Sequence, residues 1–153
     1  MKSRINYAEV DPHAIRGMLE LEKYVNNSGL ERSLYELVKT RASQINGCAY
    51  CLDMHTKDAR ELGETEQRLY GLSAWRESPF YSDKERAALE WTEALTIISE
   101  NNISDSLYEA TRKYFNEKEI VTLTMAIIAI NGWNRLAISF RTLPGSYKPE
   151  LTK

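Results

Sequence analysis

The sequence predicts an all-α protein, a compact helical bundle, on three observations. Apolar residues recur at three- and four-residue spacing along most of the chain. Helix-opening signatures recur as well, at Asp11-Pro12, Ser82-Asp83-Lys84-Glu85 and Asn116-Glu117-Lys118-Glu119. No stretch of useful length alternates between apolar and polar residues as a half-buried strand would. At 153 residues the chain is read as one domain, 1–153, long enough for a proper hydrophobic core.

The elements follow in order. Asp11 is an N-cap with Pro12 at the first helical position, and Ile15, Met18, Leu19 and Leu21 supply an apolar stripe up to Asn26. Asn27-Ser28-Gly29 stops this helix. A second helix covers 30–45, with Leu34, Leu37 and Val38 inward, and Asn46-Gly47 ends it. A third opens at Cys48 and closes near Leu62-Gly63. A fourth covers 65–75 before the Ser78-Pro79 break. Ser82 and Glu85 form a capping box for a fifth, which carries Ala87, Ala88, Trp91, Ala94, Leu95 and Ile98. Ser104-Asp105 caps a shorter helix ending at Phe115, and Asn116 with Glu119 opens the last, which runs to about Phe140. Leu143-Pro144-Gly145 then releases a polar tail. Residues 125–130 are apolar on every side of this last helix, which places it centrally or at a subunit interface, and we expect a homo-oligomer.

Composition narrows the function. Apolar residues make up 42% and charged residues 27%, the net charge is −2, and the basic residues are dispersed. That gives no electrostatic footprint for nucleic acid or for an anionic membrane. Residues 1–10 lack an apolar signal core, and the longest apolar stretch, 120–130, is short of a bilayer span. The expected location is cytoplasmic. In a reducing compartment a CxxC pair signals redox or metal chemistry rather than a structural staple, and a bridge closing so short a loop adds little chain-entropy stability.

That pair is Cys48 and Cys51, followed by His55 in the segment Gly47-Cys48-Ala49-Tyr50-Cys51-Leu52-Asp53-Met54-His55, which uses both cysteines and one of the two histidines. On a helix, positions i, i+3 and i+7 share one stripe, so two thiols and an imidazole converge. These are an attacking thiol, a resolving thiol and a proton acceptor. Cys48, at the helix N-terminus, has the dipole in its favour as the nucleophile. Cys51 has His55 as its i+4 neighbour and can pass it a proton. The residues alone leave that division open. They also leave open a metal-binding module in which Cys48, Cys51 and His55 are joined by Glu36 or a water, and a thiol-disulfide redox sensor with slow turnover.

Glu36 lies twelve residues before Cys48. Together with Cys48-x-x-Cys51-x-x-x-His55 it resembles the signature of the alkylhydroperoxidase D (AhpD)-like family within the carboxymuconolactone decarboxylase superfamily. The surrounding residues 39–47 are similar in style, and Asn131-Gly132-Trp133-Asn134-Arg135 resembles a segment of single-domain members. The resemblance implies an all-helical fold assembled as trimers or hexamers. It also implies reduction of organic or hydrogen peroxides without metal, flavin or haem. Cys51 would be the peroxidatic thiol, Cys48 the resolving thiol, Glu36 and His55 the proton relay, and a lipoyl or thioredoxin-like dithiol protein the reductant. One departure is Tyr50, which stands where the best-known peroxidase members carry a second histidine.

Other candidates read as structural. Without the resemblance, Glu36 beside Leu34, Leu37 and Val38 is a solvated charge. Asn131, Asn134 and Arg135 are contacts across an interface or to neighbouring carboxylates, and His13 faces solvent. Trp75, Trp91 and Trp133 are core or interface residues. Asp53 and Asp58 project away from the cysteine stripe or lie well beyond it.

Overall fold

The computed structural model describes residues 1–149, which form eight α-helices and one 3₁₀ turn. These are α1 (Tyr7–Val10), α2 (Pro12–Asn26), α3 (Arg32–Asn46), α4 (Ala49–Glu61), α5 (Glu66–Gly71), α6 (Asp83–Thr96), α7 (Asp105–Arg112) and α8 (Glu117–Phe140), with the 3₁₀ turn at Leu72–Glu77. No strand occurs among the described residues. The last four positions of the expected polar tail lie outside them.

The caps form as the sequence dictates. The Asp11 carboxylate accepts from the amides of His13 and Ala14, both at 3.1 Å. Both capping boxes are closed, Ser82 with Glu85 and Asn116 with Glu119. The helix expected over 65–75 is interrupted: α5 passes into the 3₁₀ turn at Leu72, and inside that turn Ala74 leaves helical geometry (φ −115°, ψ 28°). α6 ends at Thr96, which leaves Ile98 outside it and exposed, and α7 stops at Arg112, before the buried Phe115. Leu19 is exposed, since Ile15, Met18 and Val25 define the inner side of α2. There α2 and α8 approach so closely that a Cβ on Gly132 would lie 2.7 Å from Met18 Cε. The single turn α1 carries no apolar repeat from which it could be read.

Enclosure is greatest around α3. Residues 34–40 are buried without a break, although they include Glu36 and Lys39. α3 packs on α4, α6 and α8, and α8 also takes α2 and α6. Leu34, Val38, Trp91, Phe115, Leu123 and Ile127 form the main core between α3, α6 and α8. By length α8 could cross a bilayer, but its packing makes it a core helix. Its outer side still exposes Val121, Ile128 and Ile138.

Asn131 and Asn134 tie α8 to the end of α3. Asn46 Nδ2 donates to Asn134 Oδ1 at 2.8 Å and to Asn131 Oδ1 at 3.0 Å, and Asn134 Nδ2 donates to Ser43 Oγ at 3.0 Å. These partners carry no charge, so Asn131 and Asn134 meet a neutral amide and a hydroxyl rather than the neighbouring carboxylates expected. Arg135 is exposed and binds the Asn131 carbonyl oxygen. Replacing Asn134 with Ala strands Ser43 in the core, so Asn134→Ala is expected to lose about 1–3 kcal/mol in urea unfolding. A loss near zero would show that the clasp contributes nothing net.

Candidate active site

The site begins at a chain reversal. α3 ends on Gly47, whose φ of 70° is left-handed and suits a residue without a Cβ. Cys48 then turns extended and becomes the N-cap of α4, its Sγ accepting from the Cys51 amide at 3.3 Å. This hairpin lays α4 along α3. Cys48 and Cys51 are joined as a disulfide, and each is 1% exposed. The two sulfurs are bonded to each other, so in this state they are not thiolate ligands.

One turn after Cys51, His55 meets α3. Its Nδ1 lies 2.8 Å from Oε2 of Glu36, which is itself 1% exposed, and Arg32 approaches the other carboxylate oxygen at 3.8 Å. A carboxylate only accepts hydrogen bonds, so this contact assigns a proton to Nδ1, and in the neutral imidazole that leaves Nε2 as the acceptor. Among the described residues, His55 Nε2 is the one buried side-chain nitrogen or oxygen without a hydrogen-bond partner. Cys51, His55 and Glu36 all line a cavity of about 360 Å³. Cys48 stands behind it in a small core cluster with Ala42, Ile130 and Ala137.

A second charged group lines the same cavity. Lys39 on α3 is buried and ion-paired with Glu22 of α2, and its ammonium lies 4.0 Å from the centre of the Tyr35 ring. Glu22 also accepts from the Tyr35 hydroxyl and, at 3.0 Å, from the Trp133 indole. Burial opposes ionisation of Glu22, but the Lys39 charge and these hydrogen bonds outweigh it and hold the carboxyl below its ordinary value. Burial likewise pulls Lys39 down, against the attraction of Glu22.

The structure thus gathers Glu36, Cys51 and His55 at one cavity, with Cys48 bonded to Cys51. Glu36 is not the solvated charge its neighbours suggest, because α4 covers it. Tyr50 and Trp133 line the cavity, and Trp75 and Trp91 belong to the core. His13 is exposed. Asp53 binds Lys57 and the Gly145 amide. Sequence reasoning missed Glu22, Tyr35 and Lys39, and it missed Asp58, which lines the cavity and accepts from the Tyr147 hydroxyl at 2.7 Å. The available signal for Asp58 was its spacing, one turn beyond His55 on the same helix.

A helical hairpin that buries a Glu–His pair beside a CxxC bridge defines a dithiol protein of the all-helical class. Residues 12–94 match the carboxymuconolactone decarboxylase family. The uncharacterised protein YdfG of Bacillus subtilis (strain 168) is 47% identical over 139 residues, covering 91% of this chain and 95% of that protein. The chain belongs to the carboxymuconolactone decarboxylase family. A shorter similarity, 40% over 45 residues, covers 29% of this chain and 26% of the alkyl hydroperoxide reductase AhpD of Mycobacteroides abscessus. Among solved structures, a protein of unknown function from Agrobacterium tumefaciens, described as a candidate antioxidant defence protein AhpD, matches with a TM-score of 0.92. It is 48% identical and covers 95% of this chain and 100% of that one. The names of the family and its relatives span a decarboxylase and a hydroperoxide reductase, so membership alone does not choose the reaction.

The Glu22–Lys39 pair gives its own pH-dependent test. Glu22→Gln leaves the Lys39 charge buried without its counter-ion, at an expected cost of ~3 kcal/mol at neutral pH. Because the folded carboxyl titrates below its ordinary 4.5, the stability it contributes is complete above that value and is lost as pH falls through the lower folded value. Denaturant unfolding of both proteins should therefore show a gap at neutral pH that narrows in acid. A gap constant with pH would contradict the assignment.

Proposed function

We propose that this protein is a dithiol peroxidase that reduces organic or hydrogen peroxides through Cys48 and Cys51. The observation that carries this reading is the Nε2 of His55, buried without a hydrogen-bond partner on a ring that lines the same cavity as Cys51. The Glu36 hydrogen bond on Nδ1 fixes that tautomer. Once the bridge is reduced, Cys51 is the acid one turn away, and its proton moves to Nε2. The thiolate attacks a peroxide oxygen, an S–O bond forms, the O–O bond breaks, and the leaving alkoxide or hydroxide takes the proton back from the imidazolium. Cys48 then condenses with the Cys51 sulfenic acid, releasing water and forming the Cys48–Cys51 disulfide.

A dithiol reductant protein, lipoyl or thioredoxin-like, supplies two electrons and restores both thiols by exchange. Electron flow needs no metal, flavin or haem. The buried sulfurs require such a donor to reach Cys51 through the cavity, and a reducing cytoplasm would keep the cycle running. The exposed side chains of Val121, Ile128 and Ile138 on α8 would be covered in a homo-oligomer, a trimer or hexamer by the family resemblance.

Single-turnover oxidation of the reduced, metal-free protein by an organic hydroperoxide tests the reading through thiol loss and intact mass. Wild type should lose two hydrogens, Cys48→Ser should trap a sulfenic acid on Cys51, and Cys51→Ser should not react. His55→Ala should slow the step by about 10²-fold, the scale of a lost general base. Wild type oxidised no faster than a free thiol would end the proposal. Oxidation without multiple turnover in the presence of a dithiol reductant would instead favour the sensor.

A further inference from the structure

We propose that Asp58, held by the Tyr147 hydroxyl, is a second carboxylate for the His55 imidazole, a positioning residue that favours the imidazolium and with it the thiolate of reduced Cys51. This rests on the reading of Cys51 and His55 given above. One ring nitrogen of His55 and one carboxylate oxygen each of Glu36 and Asp58 all lie within 4.8 Å of one another. Glu36 occupies Nδ1 directly, whereas Asp58, one turn further along α4, acts on the ring through space. An opposite charge at this range stabilises a protonated imidazole.

Asp58 is itself held from outside α4. The segment after α8 lies across that helix through three polar contacts: the Gly145 amide to Asp53 at 2.9 Å, the Lys57 ammonium to the Tyr147 carbonyl at 3.0 Å, and the Tyr147 hydroxyl to Asp58 at 2.7 Å. Arg32, Asp58 and Tyr147 line both the Cys51 cavity and a second cavity of about 240 Å³ on its outer side. The Asp58 carboxylate therefore stands in the wall between them.

The charged and titratable groups around this wall are Arg32 and Glu36 on α3, Glu61 on α4, and Tyr147 and Lys148 on the crossing segment. Lys39 and Glu22, which also line the cavity, are paired with each other. Burial pushes Asp58 above its ordinary value, opposed by the Tyr147 hydrogen bond and reinforced by the Glu36 charge. Its influence on His55 is accordingly lost on the acid side. The step at issue is a proton transfer alone: the Cys51 S–H gives its proton to His55 Nε2, leaving thiolate and imidazolium with no change of oxidation state.

Thiolate formation in the reduced protein, followed by ultraviolet absorbance and alkylation rate against pH, tests this without peroxide. Asp58→Asn should raise the apparent thiolate midpoint by about one pH unit, the lower end for a charge at this distance. Tyr147→Phe should raise it by less, and Asp58→Glu should restore most of the shift. Identical midpoints in wild type and Asp58→Asn would overturn the proposal. Should Asp58→Asn fail to fold, an unchanged midpoint in Tyr147→Phe would overturn it equally. If His55→Ala raises the midpoint but neither of these variants does, only the role of Asp58 fails. If even His55→Ala leaves it unmoved, the base assigned to Cys51 fails as well.

Discussion

The buried carboxylate of Glu36 is the constraint from which the rest of the arrangement follows. A carboxyl group at 1% exposure is costly to bury unless it is paired and hydrogen-bonded. α3 alone supplies only Arg32, at 3.8 Å and half in solvent. The remaining requirement falls on α4, which must lie against α3 in the register that sets His55 opposite Glu36. That register places Cys51 one turn earlier, at the same cavity. Packing and chemistry at this hairpin are therefore one problem with one solution.

Lys39 repeats the demand one turn further along α3. Its ammonium is met by Glu22 from α2, and Glu22 is met in turn by Tyr35 and by Trp133 from α8. The two buried charges of α3 thus recruit different neighbours, α4 for Glu36 and α2 with α8 for Lys39. Both pairs line the cavity and give it a polarity that apolar packing alone would not create. The asparagine clasp ties the end of α3 to α8 without charge.

Much of the fold was legible because helix ends are written locally. Asp11 with Pro12, the Ser82–Glu85 box and the Asn116–Glu119 box each satisfy their own amides within four residues, so short-range reasoning finds them. The break at Ala74 was not legible, since nothing in that stretch forbids a helix. The site was partly legible. Cys48, Cys51 and His55 declare themselves by spacing along one helix, whereas Glu36 was recovered only by resemblance, because its burial depends on a second helix lying over it. Lys39 and Glu22 were invisible for the same reason: seventeen residues separate them, and each on its own helix looks like a solvated charge. Asp58 reads in the sequence as pointing away from the cysteine stripe or lying beyond it, because nothing local shows Tyr147 arriving from eighty-nine residues away.

Trp133 stands in a different relation to the site from the other two tryptophans. Trp91 and Trp75 sit in separate core clusters, while Trp133 packs against the cluster that holds Cys48 and Cys51 and donates its indole N–H to the ionised Glu22. A disulfide quenches a neighbouring excited indole by accepting an electron, and a dithiol does so far less. If the pair cycles as proposed, the molecule carries a fluorophore beside it, and opening the bridge should brighten the indole emission with no label attached.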